Sequence, residues 1–447
     1  MPVFFLVYYL AGDRFKNPVL FAGSIIFYAW GEPKYTILIL CSVMVNFFMA
    51  IFIVRFDPVF QKVRRRILLI LTVFYNVGLL FIFKYTGFVL ETINTLFDAD
   101  ITVPYIALPL GISFYTFQIL SYVIDVYRED IAPETNILNL GTYLVSFPQL
   151  IAGPIVTYSR VRDGLRRRRI RLLSVENGFR EFTMGLGCKV IFANSLGNIW
   201  TAAIQAGFDN ISTLFAWLAI VSYSLQLYFD FAGYSLMAIG LGRMLGFRFP
   251  RNFDHPYVAK SVTDFWKRWH MTLTGWFREY IYIPLGGSRK GIVRTILNML
   301  IVWLITGLWH GAAWNFVLWG LYYFVILLLE KLFIRRLFKN SVFFSRVYTL
   351  VVVMVGWVLF AAPSLEEALS FIVCMFTINP GTDFIEYFNT YWYILALAAV
   401  FATPGPYKLY KKYRNSLIAW VCLLVVFFIS VGLLVDSVYN PFLYFRF

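Results

Sequence analysis

The sequence predicts an all-α integral membrane protein that crosses the bilayer many times, and three observations carry that prediction. The 447 residues are 60 % hydrophobic and 20 % aromatic but only 14 % charged, whereas a soluble domain carries about 25 % charged residues. The 47 Phe, 29 Tyr and 13 Trp exceed what a water-soluble globule of this length can hide. The apolar residues also fall in long runs, and the loops between them sort into a basic and an acidic set.

A helix needs about 20 mostly apolar residues to cross a hydrocarbon core of about 30 Å. Runs that meet or approach this length cover residues 17–31, 35–54, 67–84, 103–124, 139–158, 180–204, 213–241, 292–308, 311–334, 346–362, 391–407 and 417–435. Two shorter runs, 1–12 and 367–378, are expected to be partial, re-entrant or interfacial. The expectation is therefore about 10–12 transmembrane helices. No internal repeat or soluble segment interrupts residues 1–447, so the chain reads as a single membrane domain. Met1-Pro2-Val3 has no basic n-region and no cleavage site, and reads as the middle of a first helix that lacks a short lead.

The loops set the expected orientation. Basic clusters stand at Arg55 to Arg66, Arg160 to Arg171, Arg243 to Arg251, Lys331 to Arg346 and Lys408 to Arg414. Acidic connections stand at Glu91 to Asp100, Asp209, Glu366-Glu367 and Asp383 to Glu386. The positive-inside rule puts the first set in the cytoplasm and the second outside. Most of the net charge of +15 then belongs to cytoplasmic loops rather than to a nucleic-acid surface. The strongest cluster, RVRDGLRRRRIR, has seven Arg in twelve residues. It reads as a topology determinant in contact with anionic lipid, or as a docking surface for an acidic cytoplasmic donor.

Two segments break the apolar pattern. From Asp254 to Arg294, the charges Asp264, Lys267, Arg268, Arg278 and Glu279 are interleaved with aromatics. Each charge would cost several kcal/mol at the centre of a spanning helix. An amphipathic, partly re-entrant element lining a polar cavity is expected instead, with His270 in its middle and a turn at Pro284 and Gly286-Gly287. The second segment, LNMLIVWLITGLWHGAAWNFVLWGLYYF, has His310 as its one ionisable group, flanked by Gly307 and Gly311. Small residues there allow a neighbouring helix or a narrow ligand chain to approach His310. On spacing alone, His310 reads equally as a catalytic group and as a structural hydrogen-bonding one.

The remaining polar residues are less informative. His255, in NFDHPY, reads as structural, and Cys41, Cys188, Cys374 and Cys422 as inert buried thiols. Glu32, Asp125, Arg128 and Asp230 are expected to form packing pairs or line the cavity. Four Cys and three His leave no room for a Cys-rich zinc scaffold or a disulfide framework, and no metal site is expected. No H-E-x-x-H, phosphate-loop or G-x-S-x-G motif occurs. GLGRMLG at Gly240 to Gly246 lacks dinucleotide spacing and reads as helix packing.

Five phrases carry a resemblance: PLGISFYTFQ (109–118), FPQLIAGPIV (147–156), YFDFAGYSLMAIG (228–240), DFWKRWHMTLTGWFREYIYIPLGGSRKG (264–291) and GLWHGAAWNFVLWG (307–320). They are similar to the membrane-bound O-acyltransferases (MBOATs). The resemblance is to the bacterial branch of alginate and peptidoglycan O-acetyltransferase membrane subunits, with the teichoic-acid D-alanyl transfer protein nearby. FYAWGEPKY (27–35) and FLYFRF (442–447) extend it over nearly the whole chain, with a motif-bearing core at 105–335 and an aromatic tail at 442–447.

The resemblance implies a multi-pass fold around a central funnel in the bacterial cytoplasmic membrane. It makes His310 of the W-H-G motif the catalytic histidine and His270 of R-W-H-M-T-L a second essential polar residue, with Tyr444 a candidate acyl relay. Trp269, Trp309, Trp314 and Asn315 are candidate cavity walls. The implied reaction moves an acetyl group from a cytoplasmic thioester to an extracytoplasmic polysaccharide, through an acetyltransferase- or esterase-like partner. No tightly bound cofactor is expected, since acetyl-CoA or another acyl thioester enters as substrate. The PLGG after Ile283 is similar to the polysaccharide O-acetyltransferases, while Leu236 in FAGYSL resembles the D-alanyl branch. A carrier-protein-fed D-alanyltransferase and a non-catalytic donor transporter therefore stand as alternatives.

Overall fold

Inside a bilayer a backbone amide must find its partner within the protein, and a helix supplies one from its own backbone. Helices accordingly account for every regular element in the computed structural model, which describes residues 2–150, 153–334 and 341–436. The chain divides into two compact units, Met1–Phe179 with Ala238–Pro250, and Arg180–Met237 with Arg251–Phe447.

The first unit contains α1 (Pro2–Leu10), α2 (Lys16–Gly31), α3 (Thr36–Arg55), α4 (Lys62–Lys84), α5 (Thr86–Phe97), α6 (Ile112–Tyr127), α7 (Ile137–Val145), α8 (Phe147–Leu150) and α9 (Tyr158–Arg166). Polar side chains join these apolar helices where lipid offers no competing partner. Asn46 on α3 and Asn76 on α4 exchange amide hydrogen bonds of 3.0 and 2.7 Å. Arg65 is buried, with Glu129 at 2.6 Å and the Tyr127 carbonyl at 3.0 Å. Arg168, one of the seven clustered arginines, is also buried. It donates to Tyr8 Oη and Asn17 Oδ1, each at 2.6 Å, and stacks 4.2 Å from the centre of the Phe247 ring. Arg160, Arg166, Arg167, Arg169 and Arg171 remain exposed.

The helix α10 (Leu172–Gly187) leads through a π-helical turn (Cys188–Ala193) into α11 (Asn194–Ala206), and α12 (Thr213–Met244) follows. Gly240 acts in packing: a Cβ on Gly178 would lie 2.6 Å from its carbonyl oxygen. In the second unit Asp230, on α12, is buried and paired with Lys189 of the π turn. The unit continues with α13 (Val262–Arg268), α14 (Met271–Phe277), α15 (Ile292–His310), α16 (Trp314–Leu329), α17 (Val342–Ala361), α18 (Leu365–Phe376), α19 (Asp383–Phe401), α20 (Pro404–Tyr413) and α21 (Leu417–Asp436).

By length and composition, eight helices among the described residues can cross a membrane: α3, α4, α12, α15, α16 with its π-helical end, α17, α19 and α21. The hydropathy runs predict more. The run 139–158 is broken at Ser146 into α7 and α8, and residues 153–157 are not helical. The run 103–124 becomes helical only from Ile112, after Gly111 turns at φ +75° where a Cβ would meet the Leu150 carbonyl at 2.7 Å. The runs 17–31 and 180–204 are helical, but α2 and α10 have 16 residues each and α11 has 13. Hydropathy sums composition along a window and does not register these breaks.

In the second unit, α15 and α16 approach each other closely at two glycines. A Cβ on Gly307 would stand 2.3 Å from the Phe316 carbonyl, and one on Gly320 would stand 2.4 Å from the Trp303 carbonyl. Gly307→Val should therefore destabilise the fold by about 1–3 kcal/mol through overpacking, read as a lower unfolding midpoint in detergent. Gly78→Ala, where nothing lies within 4 Å of the new Cβ, should leave that midpoint at or slightly above the original.

Candidate active site

The anomalous charged segment folds as two short helices around a break. Ser261 caps α13, its Oγ accepting the Asp264 amide at 3.0 Å. The buried carboxylate of Glu330, just beyond α16, accepts the Val262 amide at 2.5 Å, the Thr263 amide at 2.9 Å and the Thr263 hydroxyl at 2.5 Å. A carboxylate is well placed at a helix N-terminus, where free N–H groups concentrate positive potential. Within α13, Arg268 returns to Asp264 at 2.9 Å.

The chain leaves helical geometry at Trp269 and turns at His270, whose φ of +43° is rare for a residue with a side chain. Asn252 takes up the backbone groups freed there. Its carbonyl accepts the Met271 amide at 2.9 Å, and its Oδ1 accepts the Thr272 amide at 3.2 Å and the Thr272 hydroxyl at 2.8 Å. The same Oδ1 lies 3.0 Å from Nδ1 of His270. Beyond α14 a π-helical turn (Arg278–Tyr282) leads into the expected turn, with Gly286 at φ +107° and Gly287 at φ +57°. Asn298 of α15 closes this loop by donating to the Gly287 carbonyl at 2.9 Å.

His310 is the last residue of α15 and is buried. Its ring meets Trp309, Trp319 and Phe360 edge-on, with centroid separations of 4.9, 5.0 and 5.2 Å. His270 sits in a similar enclosure, 4.7 Å from Phe231 and 5.9 Å from Trp309. Both histidines line one cavity of about 170 Å³, together with Trp266, Trp269, Trp303, Thr306, Arg278 and Tyr282. The two motif histidines, 40 positions apart in the sequence, thus reach a single cavity.

The other predicted residues fall differently. Trp269 lines the cavity. Trp309 stands behind it, between the two imidazoles. Trp314 and Asn315 are outside the lining, and Trp314 is 55 % exposed. Tyr444 lies outside the described residues. His255 turns at φ +47° with its ring near Tyr407, away from the cavity lining. Sequence reasoning missed Asn252, whose one visible signal is a polar residue three positions before His255, and gave no role to Arg278, which reaches the cavity from the π turn.

The cavity wall is mostly indole and aliphatic carbon. Burial alone pushes the His270 imidazole down, to about 3, because desolvation penalises the cation and no carboxylate compensates. The ring is therefore neutral throughout the physiological range. A neutral imidazole in a weakly polar cavity can give or take one proton at a defined atom, which suits proton transfer during attack on a carbonyl.

Residues 127–372 match the membrane-bound O-acyltransferase family, and similarity to curated relatives of that kind extends along the whole chain. The chain belongs to the MBOAT family. It is 34 % identical to the probable alginate O-acetylase AlgI of Pseudomonas putida, over all of this chain and 98 % of that protein. It is 35 % identical to the peptidoglycan O-acetyltransferase of Helicobacter pylori, over 85 % of this chain and 78 % of the relative. The teichoic acid D-alanyltransferase of Streptococcus thermophilus is 27 % identical over 51 % of this chain and 58 % of its own length. This MBOAT is a multi-pass membrane enzyme, an O-acyltransferase.

The Glu330 contact yields a test within this MBOAT. Glu330→Ala leaves the buried Val262 N–H and the half-buried Thr263 N–H at the start of α13 without their acceptor. That should cost about 1–3 kcal/mol in detergent melts, and Glu330→Gln, which keeps one acceptor oxygen, should cost less.

Proposed function

We propose that the enzyme moves an acetyl group from a cytoplasmic thioester across the membrane for O-acetylation of an extracytoplasmic cell-surface polysaccharide. The observation that carries this reading is the convergence of His270 and His310 on one cavity. Relatives matched over most of both chains support the acetyl donor, since they are named as acetylases or acetyltransferases. The D-alanyltransferase match covers about half of each chain, so acetyl-CoA is the preferred donor and a carrier-protein thioester the second choice.

In this reading His310 acts as the general base. As a hydroxyl oxygen attacks the thioester carbonyl carbon, His310 takes the hydroxyl proton. The resulting tetrahedral centre collapses, the carbon–sulfur bond breaks, and the imidazolium returns the proton to the departing thiolate. A well-placed base of this kind contributes about 10²–10⁴-fold. His270 holds the donor in the cavity. Tyr444 is the proposed first acceptor of the acyl group, which an extracytoplasmic partner then passes to the polymer.

His310→Ala is expected to abolish polymer acetylation, by about 10²-fold or more, while leaving the unfolding midpoint within a few degrees. Unchanged acetate release from the isolated polymer would remove His310 from the chemistry. For the relay, mass spectrometry of the C-terminal peptide should find an acetyl adduct on Tyr444, and Tyr444→Phe should lose polymer acetylation. Full acetylation by that variant would end the relay reading without touching the role of His310.

A further inference from the structure

The contacts of Asn252 identify which ring nitrogen of His270 carries the proton. The Thr272 backbone N–H can only donate, so the Asn252 atom that it meets at 3.2 Å is the carboxamide oxygen. The other end of the amide donates to Ser235 Oγ at 3.2 Å, which agrees with that orientation. The same oxygen lies 3.0 Å from His270 Nδ1. An oxygen and a bare ring nitrogen would repel each other at this distance, so Nδ1 carries the hydrogen. A neutral imidazole has one N–H, and Nε2 is left as a lone pair. Nε2 is buried and meets no hydrogen-bond partner among the described residues, on a residue that lines the cavity with His310.

A lone pair at that place selects its ligand. It repels a developing oxyanion, so this tautomer cannot stabilise one. It accepts a hydrogen bond, and the reacting pair offers two donors near the scissile bond. One is the attacking hydroxyl, whose proton goes to His310 in the reaction proposed above. The other is the amide N–H two carbons from the thioester sulfur, present both in acyl-CoA and in the phosphopantetheine arm of a carrier protein.

We propose that Asn252 is a positioning residue that locks His270 in its Nδ1–H tautomer, so that Nε2 accepts the amide N–H of the thioester donor's pantetheine arm. This rests on the acyl-transfer reading for the identity of the donor, but the tautomer itself does not. Burial supports it by keeping the imidazole from becoming a cation, which would have no lone pair to offer.

The chain has three histidines, so nitrogen-15 labelling of histidine in the full chain, in lipid nanodiscs, gives three imidazoles to resolve, with His270→Asn identifying the signals of interest. The expected spectrum shows a pyrrole-type Nδ1 and a pyridine-type Nε2 for His270. A proton on Nε2 overturns the proposal with no variant needed. Asn252→Leu should mix the two tautomers, and an unchanged spectrum in that variant overturns the positioning role. Adding N,S-diacetylcysteamine should move the Nε2 resonance, whereas its N-methyl analogue, which lacks the amide hydrogen, should not. Equal shifts from both compounds, or none from either, overturn the donor contact. Thiol release from the two compounds should differ by about fivefold or more in kcat/KM, and Asn252→Leu should bring the ratio close to one. Loss of the base role, seen as full activity in His310→Ala, would leave the His270 spectrum untouched, so the two readings fail separately.

Discussion

The bilayer requires that a backbone group released by a broken helix find a protein partner, and the geometry of the site follows from that requirement. A seven-residue helix such as α13 has most of its amide and carbonyl groups at its ends. In water those ends would be hydrated. Here the start of α13 is held by the Glu330 carboxylate, the start of α14 by Asn252, and the loop after the π turn by Asn298. Each partner comes from outside the segment it closes. The break at Trp269 and His270 is thereby fixed in place, and His270 can stand on a left-handed residue without the segment fraying.

The opposite half of the site is built by close contact rather than by hydrogen bonds. His310 ends a regular helix, and its position depends on how near α16 can come. Gly307 and Gly320 remove the side chains that would hold the two backbones apart. The aromatic rings of Trp319 and Phe360 then close over the imidazole. One histidine is placed by a hydrogen-bonded interruption and the other by dense packing, and the cavity lies where the two arrangements meet within one unit.

The sequence made both histidines legible because an ionisable group in an apolar run is conspicuous, and because the surrounding phrases resemble a known family over nearly the whole chain. The glycines beside His310 were also readable as a close-approach signal, although the partner of Gly307 proved to be the helix immediately following it. Asn252 escaped because an uncharged residue in an irregular segment has no periodicity to betray it, and its contacts lie 17 to 20 positions away. The hydropathy runs outnumber the eight helices of spanning length among the described residues for a related reason. A run such as 139–158 has the composition of a spanning helix, yet it folds as short pieces that hydropathy does not see. Trp314 shows the limit of adjacency: four positions after His310, it points outward and is largely exposed.

The density of indoles around the two imidazoles has an optical consequence. Trp266, Trp269 and Trp303 form part of the cavity wall, and Trp309 and Trp319 touch the ring of His310. An imidazolium quenches a neighbouring excited indole far more strongly than a neutral imidazole does. A proton arriving on His310 would therefore darken a specific subset of the chain's 13 tryptophans, so the enzyme carries a built-in fluorescent gauge of the charge at its own centre.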